Sequence, residues 1–120
     1  MLEVVKKEII RLAQALMYSY EGLIAAFKSE AAFRLELLIA VIFIPVALFL
    51  QVSAVAKVLM ISSILLVLIA ELINTAIEAV IDRISMERHS LSKKAKDIGS
   101  ATVLVAMINV ACTWLVILIF

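Results

Sequence analysis

Cysteine and proline each occur once in this chain, and glycine only twice. A lone Cys112 cannot close an internal disulfide and reads as a small apolar filler. With so few helix breakers, long loops are excluded, and no Gly/Ser linker, low-complexity tract or internal repeat divides the 120 residues. Soluble-kinase nucleotide motifs are missing too: there is no Walker-type lysine loop, no glycine-rich kinase loop and no DFG. The N-terminus places Glu3, Lys6, Lys7, Glu8 and Arg11 where a cleavable signal would need a continuous apolar run, so the first segment is expected to stay. From Ile98 to Phe120 there is no charged side chain at all.

What is present is mostly apolar: 66% of residues are hydrophobic, more than the core of one soluble domain requires. We read an all-α integral membrane protein, one membrane-embedded domain over 1–120. Residues 2–28 carry Val4, Val5, Ile9, Leu12, Leu16, Leu23 and Phe27 at three- and four-residue steps among charged positions. That pattern predicts an amphipathic helix lying in the membrane interface, with Gly22 as a place to bend or break it. Three spans follow, at about 35–50, 55–81 and 98–120. Pro45 is tolerable inside the first, Gln51 to Ala54 forms a tight polar turn, and the second is long, about 40 Å at 1.5 Å per residue. Asp82 to Asp97 reads as a polar connector, and Lys57, at the far end, is expected to snorkel to water. A net charge of +1 becomes informative only by position. Lys6, Lys7, Arg11, Lys28, Arg34, Arg83, Arg88, Lys93, Lys94 and Lys96 fall on one side, against Lys57 on the other. The positive-inside rule then predicts a cytoplasmic N-terminus and connector, an external C-terminus, and a bacterial inner-membrane location; no nucleic-acid partner is expected.

The polar exception within the oil is Glu71 to Asp82, ELINTAIEAVID. At 100° per residue, Glu71, Asn74, Glu78 and Asp82 share one helical stripe, with Glu71 and Glu78 about 10 Å apart along the axis. Ionisable groups in a span are costly and mark function by default. Near the cytoplasmic headgroups they meet Arg11, Glu30, Arg34, Glu36, Lys94, Lys96 and Asp97. Carboxylate oxygens suit Mg²⁺, lysines answer phosphates, and a carboxylate at lower dielectric serves as a general base. The set is compatible with phosphoryl transfer.

The stretches YSYEGL, EAAFRLE, ELINTAIEAVIDRI and AKDIGSA, in that order, resemble the prokaryotic integral-membrane diacylglycerol kinase family, which also includes undecaprenol kinases. The likeness runs from Arg11 to the third span. It implies a homotrimer of subunits with three spans and a surface helix each, transferring the γ-phosphate of MgATP to the hydroxyl of a lipid in the bilayer. By this resemblance Glu71 would be the catalytic base, with Asn74 beside it, and Glu30 and Glu78 would hold the Mg²⁺. Lys96 and Asp97 would contact nucleotide, Arg11 and Tyr18 would touch ATP or the substrate headgroup, and Ser19, Tyr20, Arg34, Glu36 and Ser100 would lie near the lipid. Glu87, Arg88 and His89 align with a nucleotide-contacting bend. Basic residues associated with the family's surface helix are replaced here by Gln14, Glu21 and Ile24, with Lys28 and Lys93 as candidate substitutes.

Diacylglycerol is the leading substrate, since Gly99, Ser100 and EAAFRLE favour that branch over undecaprenol kinase. A small proton-coupled transporter would place its acid nearer the midplane, and a non-catalytic membrane subunit would be indifferent to Glu71→Gln. Because three helices cannot both close around an acidic stripe and shield it from lipid, self-association is expected.

Overall fold

The computed structural model describes residues 1–120 as four helices without a strand: α1 Leu2–Ser29, α2 Ala31–Phe49, α3 Ala54–Ile84 and α4 Ser90–Ile119. They fall into two compact units, Met1–Ala31 and Ala32–Phe120.

The first unit is α1. Its apolar residues recur at helical spacing, and Arg11 pairs with Glu8 one turn away at 3.1 Å. Gly22 does not break it: the helix continues through this position, because one glycine costs less than the surrounding good helix formers supply. At Glu30 the backbone turns extended, and its N–H closes the last turn on the Ala26 carbonyl at 2.9 Å.

In the second unit α2, α3 and α4 are each long and apolar enough to cross a membrane, as expected of a multi-pass membrane protein. Pro45 sits inside α2 without ending it. After Phe49 the chain turns, and Ser53 starts α3 with its hydroxyl accepting the Ala56 N–H at 3.1 Å. Lys57 does not simply reach for water. Its ammonium donates to the Leu48 carbonyl at 2.7 Å, satisfying one of the orphan acceptors at the end of α2.

α3 and α4 form an antiparallel hairpin fastened along its length. At one end the Trp114 indole N–H donates to the Met60 carbonyl at 3.3 Å, while its ring meets Phe43 of α2 edge-on with centroids 5.5 Å apart. In the middle Val67, Ala70, Val103 and Ala106 form a buried cluster, small residues bringing the backbones close. Further along, Asn74 lies over Gly99, and near the bend Lys96 pairs with Asp82. Replacing Trp114 by Phe keeps the ring contact but removes the donor. It should lower stability in detergent by about 1 kcal/mol with the helical content of the folded state unchanged, read from unfolding followed by circular dichroism.

The connector differs most from expectation. Only Ser85–His89 are non-helical; Asp82, Arg83 and Ile84 prolong α3, and Ser90–Asp97 already belong to α4. Loss of hydrophobicity marks where a helix leaves hydrocarbon, not where it stops. Here the polar turns are held by the Lys93–Asp97 pair four residues apart and by His89, whose Nδ1 accepts the Leu91 N–H at 3.1 Å. A hydrocarbon layer takes about 20 helical residues, so the 31 residues of α3 and 30 of α4 carry their charged turns beyond it.

Candidate functional site

Polarity along α3 is graded. Asp82 is exposed, Glu78 half-buried, Asn74 only 8% exposed and Glu71 only 5%. The predicted stripe therefore runs from an exposed end of α3 to a buried stretch of it. Within one chain Glu71 and Asn74 are already buried, whereas Glu78 and Asp82 of the same stripe are not. Glu36 of α2, half-buried, lies within electrostatic reach of Glu71.

Three polar atoms at this depth have no hydrogen-bond partner: Glu36 Oε2, Asn74 Oδ1 and Thr75 Oγ1. Buried polar atoms without partners are uncommon in folded proteins, so three close to one another on facing helices mark this region out. Asn74 fits only because Gly99 faces it. A Cβ built on Gly99 would overlap Asn74 Oδ1, so this glycine is what allows an amide between the two helices.

At the other end of the stripe, Asp82, Ser85, Glu87, Arg88, His89, Lys96 and Asp97 are among the residues lining an open cleft of about 560 Å³. The bend is shaped by its own short contacts, with the Glu87 N–H donating to Ser85 Oγ at 3.0 Å and His89 capping α4. Lys96 Nζ lies 2.7 Å from Asp82 Oδ1, and Lys93 Nζ 2.6 Å from Asp97 Oδ2. Of the six residues expected around the nucleotide and its metal in this unit, Glu87, Arg88, His89, Lys96 and Asp97 line one cleft, whereas Glu78 does not. Beyond Glu36, two shallow apolar hollows of about 90 and 230 Å³ share Ile39, Ile64 and Val110, so apolar side chains follow one another from Glu36 to Trp114.

A family model described as prokaryotic diacylglycerol kinase matches residues 17–118. The chain belongs to that family. Proteins named diacylglycerol kinase are similar to it over most of its length: one from Pseudomonas aeruginosa is 52% identical over 109 residues, covering 91% of this chain and 89% of the relative. One from Escherichia coli (strain K12) is 49% identical over 108 residues, covering 90% and 88%, and one from Helicobacter pylori (strain J99) is 38% identical over 104 residues, covering 87% and 81%.

Within the diacylglycerol kinase match fall all the residues singled out from Tyr18 to Ser100, while Arg11 lies ahead of it. On α1, Arg11, Tyr18, Ser19 and Tyr20 are exposed, Ser19 returning its hydroxyl to the Ala15 carbonyl at 2.9 Å. Glu30 ends α1 half-buried; Arg34 is exposed on α2 and Ser100 on α4. Sequence reasoning passed over Thr75, whose place in NTAIE was the available signal. It also passed over the partners of the cleft residues. Lys93 to Asp97 is legible as a four-residue helical pair once the helix is known to start at Ser90, whereas Asp82 to Lys96 spans fourteen positions and two helices.

Proposed function

We propose that this protein transfers the γ-phosphoryl group of MgATP to the free hydroxyl of diacylglycerol, giving phosphatidic acid and MgADP. The observation that carries the reading is the grading of α3: an exposed, lysine-bearing cleft at one end and a buried carboxylate at the other, joined by Glu78 and Asn74. A soluble triphosphate and an oily alcohol require those two opposite environments.

Along α3, Glu78 stands about 6 Å from Asp82 and about 10 Å from Glu71. In this reading Lys96 neutralises phosphate charge at the cleft, and Glu87, Arg88, His89 and Asp97 hold the rest of the nucleotide. Glu71 accepts the proton of the lipid hydroxyl as its oxygen attacks the γ-phosphorus and the bond to the bridging oxygen breaks. Glu36, Asn74 and Thr75 orient the glycerol end, and the apolar side chains from Glu36 to Trp114 take an alkyl chain. Arg11, Tyr18, Ser19, Tyr20, Arg34 and Ser100 keep the ATP and lipid contacts that the family likeness assigns to them.

Glu30 and Glu78 are the proposed ligands of the divalent ion. Their hard carboxylate oxygens fit Mg²⁺, which takes one or two such groups and fills its shell with water and substrate phosphates; no three His, Cys, Asp or Glu side chains gather into a full protein cage. When bound, the ion supplies charge neutralisation on the phosphate oxygens. We further propose a homotrimer in the inner membrane, with the N-terminus and the Ser85–His89 bend in the cytoplasm, where the cationic excess lies.

The test is transfer of label from γ-labelled ATP by purified protein in mixed micelles containing diacylglycerol or a polyprenol. Label should appear in diacylglycerol and vanish with a chelator of divalent ions. Label in the polyprenol alone would move the substrate to the undecaprenol branch, and none in either lipid would refute kinase activity.

A further inference from the structure

We infer that Asp82 is a positioning residue of the cleft, acting through Lys96; the inference rests on the proposed reading of that cleft as the nucleotide end. Neither the motifs nor the resemblance gave Asp82 a role of its own. The structure places it across from the one lysine most directly assigned to phosphate, on the opposite helix.

Two ion pairs line the cleft, and they differ in kind. Lys93–Asp97 lies within α4, its side chains 79% and 62% exposed, and fixes nothing beyond one helical turn. Lys96–Asp82 joins α4 to α3, with side chains only 40% and 45% exposed and Nζ to Oδ1 at 2.7 Å. Lysine carries its charge on a flexible four-carbon stem, and binding a phosphate requires that freedom to be lost. Asp82 removes part of it in advance. An ammonium has three donors, so after one is given to Asp82 two remain for phosphate oxygens. The same contact pins the wall formed by α4 to the wall formed by α3 across the non-helical Ser85–His89 bend.

A carboxylate beside a phosphate subsite also repels phosphate, so the two effects oppose one another and the measurement has a sign to decide. If placing Lys96 dominates, removing the Asp82 charge weakens nucleotide binding; if repulsion dominates, it strengthens it. The crossing of the pair between helices and its partial shielding favour placement.

The experiment compares Asp82→Asn, Asp82→Glu, Lys96→Met and the double variant Asp82→Asn/Lys96→Met in the full chain, measuring KM for MgATP, kcat and thermal stability in micelles with diacylglycerol. Asp82→Asn should raise KM by about fivefold at near-parental kcat, the scale of a partly exposed ion pair, and Asp82→Glu should stay within about twofold. In the Lys96→Met background the asparagine should add nothing. A lowered KM, an equal cost in the presence and absence of Lys96, or an Asp82→Glu effect as large as that of Asp82→Asn would each overturn the inference. If Lys96→Met itself leaves KM unchanged, the nucleotide reading of the cleft is what fails.

Discussion

Glu71→Gln should fold and bind nucleotide but lose about 10³-fold in kcat, the range over which a positioned base contributes. Glutamine has the shape of glutamate and can hydrogen-bond in a site only 5% exposed, yet it cannot take the proton of an attacking alcohol. The loss should fall on kcat, with KM for MgATP nearly parental, because the cleft that holds Lys96 lies about 16 Å along α3 from Glu71. Parental turnover would remove Glu71 from the chemistry and leave the base to be sought among the other carboxylates. A change in KM alone would make it a binding group.

Gly99→Ala is the second large effect, and its sign is informative. On helix propensity alone, alanine in place of glycine in α4 should stabilise by about 0.5 to 1 kcal/mol. At Gly99, however, the new methyl overlaps Asn74 Oδ1, so the helices must part or the amide must leave. Overpacking of this kind should destabilise by about 2 kcal/mol, and activity should fall as Asn74 is displaced. Gly22→Ala is the matched control. Nothing lies within 4 Å of a Cβ there, so it should show the propensity gain alone. Unfolding in mixed micelles separates the two, and Asn74→Ala combined with Gly99→Ala should recover stability without activity. Equal stabilisation by both glycine replacements would contradict the tight Asn74–Gly99 approach.

Much of this was legible in the residue order, for physical reasons that also explain what was not. Sustained apolar runs must become spans, and a polar stripe at helical period must share a face, so α2, α3, α4 and the row from Glu71 to Asp82 could be read directly. Helix ends were harder. Charged residues such as Lys93, Lys94 and Asp97 prolong a helix as readily as they end a span, so the polar connector shrank to Ser85–His89. Contacts between helices were illegible because they depend on register. Nothing local pairs Gly99 with Asn74, Trp114 with the Met60 carbonyl, or Lys57 with the end of α2. The same holds for burial: the residue order puts Glu71 on the polar stripe but does not say that it is far more buried than Asp82 on the same stripe.

The central claim is that one helix divides the work, nucleotide held at its exposed end and proton transfer carried out at its buried end. Equilibrium binding of ATP to Glu71→Gln and Lys96→Met, measured side by side in micelles, tests that division most directly. Parental affinity for the first and weakened affinity for the second is the predicted result; the reverse pattern, or equal loss in both, would contradict it.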